Sequence, residues 1–107
     1  MEKIFNKLVR DKIPQKIENN GEKAFTRILD EKEFKTELEK KLNEELEEVL
    51  SSNGKDRIEE LADMLEVIKY LAILENSSLE EVIKTSEQKN LKRGSFDKRI
   101  FLEKTTD

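Results

Sequence analysis

Apolar residues from Phe34 onward recur at helical spacing, with Phe34, Leu38, Leu42, Leu46, Val49 and Leu50 forming one stripe. Asp30 stands before this stripe with Glu33 three residues on, a capping-box pattern that predicts where the helix opens. "SSNG", Ser51–Gly54, predicts its end. Asp56 with Glu59 repeats the capping pattern and predicts a second long helix through about Leu74. Ser78 with Glu81 predicts a third, stopping near Gly94. Towards the start, Pro14 in a first-turn position and Gly21 as a stop predict a short helix from about Ile13. Lys23–Leu29 carries Phe25, Thr26 and Ile28 and reads as extended, and the tail Lys98–Glu103 reads as a short strand beside it. The expectation is a single, mainly α domain over residues 1–107: an antiparallel helical hairpin with flanking helices and minor β decoration.

The polar positions of the hairpin are not arranged like a plain solvated surface. A helix advances roughly 100° per residue, which places each side chain around its axis. On the first long helix Leu38, Leu42, Leu46 and Val49 define the core side; Glu45 falls at its edge and Glu48 about 60° further round on the same flank. Glu44 and Glu47 point away. On the second, Ile58, Leu61, Ala62, Leu65, Ile68 and Ala72 make one apolar face, and Met64, Val67, Leu71 and Leu74 extend it round the cylinder. Glu60 and Asp63 sit among that second group. A tight loop makes the two helices antiparallel neighbours, so Glu45, Glu48, Glu60 and Asp63 come to the same end of the hairpin. Two readings follow from this pattern: the acids are a solvated face, or a cation sits between them.

Composition narrows the chemistry. Only 35% of the 107 residues are hydrophobic and 43% are charged, a thin core for one chain, so an apolar stripe is expected to meet a second copy in a homodimer or homotetramer. The net charge of −4, with 21 basic and 25 acidic residues intermixed, offers no basic face for a nucleic-acid polymer. Cysteine and histidine are both absent, which excludes disulfides, thiolate or imidazole metal sites and any histidine acid–base step. A cation here is bound by oxygen alone, which suits Mg²⁺, with Mn²⁺ as a substitute. Mg²⁺ held by carboxylates keeps waters and recruits phosphates, pointing to phosphate chemistry. "MEKIFNKLVRDKIP" lacks an apolar run of signal-peptide length and no segment approaches a membrane span, so a soluble, cytoplasmic protein without membrane partners is expected.

The motifs resemble a known family. "EELEE", Glu44–Glu48, followed by "ELAD", Glu60–Asp63, resembles the EExxE…ExxD signature of the all-α NTP pyrophosphohydrolases, the MazG-like superfamily. "NKLVRDKIP", "TRILD" and "KNLKRGSFDKRIFL" resemble its small single-domain, phosphoribosyl-ATP pyrophosphohydrolase-like branch. The resemblance implies Mg²⁺-dependent hydrolysis of a nucleoside triphosphate, non-standard or surplus, to monophosphate and pyrophosphate. It implies Glu45, Glu48, Glu60 and Asp63 as metal ligands, the same four that helical placement selects. It also implies a catalytic part for Glu44, the first acid of the motif, in positioning water or a second metal, although the wheel turns Glu44 outward. Oligomers of the family pack their long helices into a four-helix bundle. Eleven residues separate Glu48 from Glu60, a loop too brief to carry substrate contacts.

A triphosphate needs cations beyond the metal. Lys89 and Arg93, one turn apart before Gly94 with Asn90 between them, are candidates; they equally suit the C-terminal end of a helix dipole. Arg10 and Lys12 are the next candidates. The general base in such a reaction would be a glutamate, Glu44, Glu45 and Glu48 being the candidates, or a water activated by the metal. Phe25, Phe96 and Phe101 are placed in the core or against a base, and Tyr70 at the bundle edge or in a nucleotide pocket. The competing activities are phosphoribosyl-ATP pyrophosphohydrolysis in histidine synthesis and a non-catalytic helical dimerisation module.

Overall fold

Side-chain chemistry at the helix ends sets the element boundaries. The computed structural model describes residues 1–107 and contains four helices: α1 (Ile13–Asn19), α2 (Glu31–Leu50), α3 (Gly54–Leu74) and α4 (Leu79–Arg93). Pro14 stands in the first turn of α1, and Gly21 follows that helix at φ +91°, a conformation that glycine adopts freely. At the start of α2 the Asp30 carboxylate accepts a hydrogen bond from the Glu33 amide at 2.8 Å. The Glu33 carboxylate turns outward to Arg27, whose two terminal nitrogens donate to it at 3.2 and 2.8 Å. Ser78 caps α4 in the same way as Asp30, its hydroxyl accepting from the Glu81 amide at 3.1 Å. Asn76, at φ 58°, takes the left-handed conformation that stops α3.

The start of α3 differs from the expectation. The helix opens at Gly54 behind Asn53, whose side chain makes no capping bond, and Asp56 falls inside the first turn. An acid there is favoured by the helix dipole, and the helix opens three residues before the position expected from Asp56. Arg57 closes the α2–α3 turn: its Nε donates to the Val49 carbonyl in the last turn of α2 and to the Ser52 carbonyl in the connector, at 3.1 and 2.9 Å.

No strand forms. Lys23–Leu29 and Lys98–Glu103 lie in coil without ladder bonds, which corrects the expected β decoration. Both segments are apolar enough for a strand, but neither finds a partner strand, and an unpaired strand has nothing to hold it. Phe25, Phe96 and Phe101 are exposed rather than in the core.

Packing is concentrated between α2 and α3. Leu38 on α2 and Val67 and Ala72 on α3 are the buried residues, with Phe34, Leu42, Val49, Met64, Leu71 and Leu74 partly buried around them. Phe34 meets Tyr70 edge to face, ring centroids 6.3 Å apart, so Tyr70 packs at the edge of the hairpin. The face of α3 turned to α2 is therefore the one carrying Val67, Met64, Leu71 and Leu74. The other apolar face, about 130° round the helix, presents Ile58, Leu61 and Leu65 to the outside at 66, 43 and 46% exposure.

The single chain leaves much surface open. Its accessible area is 10279 Å², against about 6,200 Å² for a folded monomer of this mass. Its radius of gyration is 18.7 Å, against about 13 Å for a compact domain of this length. No helix is long and apolar enough to cross a membrane.

Candidate metal centre

The hairpin delivers three of the four selected acids to one place. One carboxylate oxygen each from Glu45, Glu60 and Asp63 lies within 4.8 Å of the others, and all three residues are partly buried. Glu45 comes from the last turns of α2, on the flank of the Leu38–Val49 face. Glu60 and Asp63 come from the first turns of α3 and flank Val67. The antiparallel crossing of α2 and α3 brings these ends together, and the Arg57 clamp fixes the turn that joins them.

The electrostatics agree with crowding. Burial and then the Asp63 charge push the Glu45 carboxyl above the ordinary glutamate range; Lys41 pulls against them, and Glu60 and Glu48 add smaller pushes. The Glu60 carboxyl is raised by desolvation first, and next by Glu48, Asp63 and Glu59. Like charges this close disfavour full ionisation, and any cation entering relieves the repulsion.

Glu48 stands outside the tight group of three, yet it acts on both Glu45 and Glu60 through its charge. Glu44 faces solvent and is held by Lys41 at 3.6 Å, as helical placement indicated. Among the basic candidates, Arg10 reaches the centre: its Nη2 donates to Asp63 Oδ1 at 2.9 Å. Lys12 precedes α1 without a side-chain partner. Lys89, Asn90 and Arg93 lie on the exposed α4 and form no ion pair with the acids. Lys89 instead borders an open depression of about 430 Å³ with Ser77, Glu81, Val82, Thr85 and Ser86, none of them an acid of the cluster.

The donor set suits a hard divalent ion. Two trans ligands on Mg²⁺ stand about 4.2 Å apart, twice the usual Mg–O distance of roughly 2.1 Å. Cis ligands stand about 3 Å apart, and the three oxygens lie within 4.8 Å of one another, so the partly exposed carboxylates would have to rotate inward to hold one ion together, with waters completing the shell. Comparison of the chain with protein-family models, curated proteins and solved structures gives no match. The functional reading therefore rests on this geometry and on the motif resemblance.

Proposed function

We propose that the protein is a Mg²⁺-dependent nucleoside triphosphate pyrophosphohydrolase. The observation that carries this reading is the convergence of Glu45, Glu60 and Asp63 from two helices onto one small volume. Glu45, Glu60 and Asp63 would hold the ion, which supplies charge neutralisation for the phosphates and acidifies water. Glu48, near these carboxylates but outside their group, is suited to accept the proton of the attacking water. Attack of the water oxygen on the α-phosphorus breaks the bridge between the α- and β-phosphates and yields monophosphate and pyrophosphate. The EExxE…ExxD resemblance supports the same reaction.

The working form is a homodimer or homotetramer. The chain exposes roughly 4,000 Å² beyond the area expected for a monomer of its mass. That excess is of the size that obligate interfaces remove. Ile58, Leu61 and Leu65 of α3, with Leu46 and Leu50 of α2, provide the apolar surface for a bundle of long helices.

The test is a panel of nucleoside triphosphates assayed for pyrophosphate release with Mg²⁺ present. Wild type releases pyrophosphate from at least one of them, whereas Asp63→Asn and Glu48→Gln, folded by circular dichroism, release none. Wild-type turnover in either variant refutes the assignment, and absence of pyrophosphate release across the panel refutes the activity.

A further inference from the structure

We propose that Arg10 is the resident counter-cation of the Glu45–Glu60–Asp63 cluster, displaced by an incoming divalent ion and thereby freed to bind substrate phosphate. The inference rests on the metal-site reading above and adds a regulated second cation to it.

The guanidinium of Arg10 lies 2.9 Å from Asp63, across fifty-three residues of sequence. This is the one side-chain hydrogen bond that ties residues 1–12 to the hairpin. The segment forms no regular structure before Ile13. Leu8 and Val9 are partly buried, whereas Arg10 itself is exposed. In the ion pair the Arg10 side chain is 58% exposed and that of Asp63 44%, so solvent screens the attraction and the pair opens easily. A crowded carboxylate cluster needs positive charge, and in this state Arg10 supplies it at Asp63 while Lys41 acts on Glu45.

A divalent ion competes for the same Asp63 carboxylate with twice the charge and with Glu45 and Glu60 as further ligands. Once displaced, Arg10 stays near the centre, since it follows directly on the partly buried Leu8 and Val9. A guanidinium in that position matches the fork of two phosphate oxygens. The exchange couples the two events: phosphate meets a free arginine only after the metal is in place.

Two affinities measured on the full chain test this, and they move in opposite directions. Mn²⁺ binding is followed by calorimetry at low ionic strength in wild type, Arg10→Gln and Arg10→Lys. Binding of inorganic tripolyphosphate is then followed on the Mn²⁺-loaded proteins. Removing the competitor tightens Mn²⁺ binding by about threefold, the scale of an exposed ion pair. The same variant binds tripolyphosphate about tenfold more weakly, the scale of a lost charged hydrogen bond. Arg10→Lys keeps the charge and falls between the two. Unchanged or weaker Mn²⁺ binding by Arg10→Gln overturns the exchange, since an arginine that merely supports the centre loosens both ligands when removed. Unchanged tripolyphosphate affinity overturns the phosphate step. If wild type and variant alike fail to bind Mn²⁺, the metal-site reading falls and the exchange falls with it.

Discussion

Replacing Glu45 with glutamine keeps the size of a partly buried side chain and removes one of three crowded negative charges. Its carboxylate oxygen lies within 4.8 Å of one on Asp63. Two unit charges at that distance repel by about 0.9 kcal/mol in water and about 3.5 kcal/mol at an effective dielectric constant near 20. Partial exposure puts the pair nearer the lower figure, and loss of the Lys41 attraction offsets some of it. The expected net effect is therefore a stabilisation of about 1 kcal/mol in the metal-free protein, raising Tm by about 4 °C. Most substitutions act in the opposite sense. With free Mg²⁺ held at about ten times Kd, wild type gains about 1.4 kcal/mol by mass action. The variant gains much less, so the order of the two melting curves narrows or reverses when Mg²⁺ replaces EDTA. Thermal unfolding by circular dichroism at fixed protein concentration reads both effects. A variant less stable than wild type in EDTA would falsify the claim that these carboxylates strain the empty centre.

Other substitutions probe the elements that place the acids. Leu65→Glu puts a charge on the outward face of α3 and forfeits about 2 kcal/mol of apolar burial per interface contact; light scattering should then report the 12.6 kDa protomer, and a retained oligomer would exclude this face from the interface. Asp30→Ala removes the cap of α2 and should lower stability by about 1 kcal/mol, measured by urea unfolding; no change would mean the Glu33 amide finds another acceptor. The pH dependence has two opposing parts. Arg27, chiefly through its hydrogen bonds, holds the Glu33 carboxyl below its ordinary range, so this contribution is present above the unfolded pKa and lost as pH falls through the lowered one. Glu45 and Glu60 are raised, so the metal-free fold gains stability as pH falls from neutral through their raised values towards the unfolded range of about 4.3. Arg27→Gln should remove the first part and leave the second, which titration of Tm against pH in EDTA can separate.

The features legible in the sequence are those whose causes are local. Asp30 and Ser78 act within three residues of the amides they cap, so the starts of α2 and α4 follow from the residues themselves. Helical phase likewise places Glu45, Glu60 and Asp63 on the inner flanks and Glu44 outside. The long-range features were not accessible in that way. Helix α3 is apolar on two faces, and periodicity alone does not say which one meets α2; Val67 rather than Leu61 or Leu65 turned inward. Arg10 meets Asp63 through a chain path with no periodic signal, and Arg57 binds carbonyls of the preceding turn that only tertiary structure puts in reach. The expected strand pair failed for the same reason, since pairing needs the two segments side by side and nothing local in Lys23–Leu29 or Lys98–Glu103 brings them together.

The clamp that Arg57 places on Val49 and Ser52 makes the connection between the long helices a phase setting as much as a link. One residue added between Arg57 and Glu60, inside α3, would turn the rest of that helix by roughly 100° relative to the clamp, swinging Glu60 and Asp63 away from Glu45 while the helices themselves survived. The spacing from Arg57 to the two acids should therefore be far less negotiable than the identity of the residues between them, and a folded but metal-blind protein is the expected product of a single-residue insertion there.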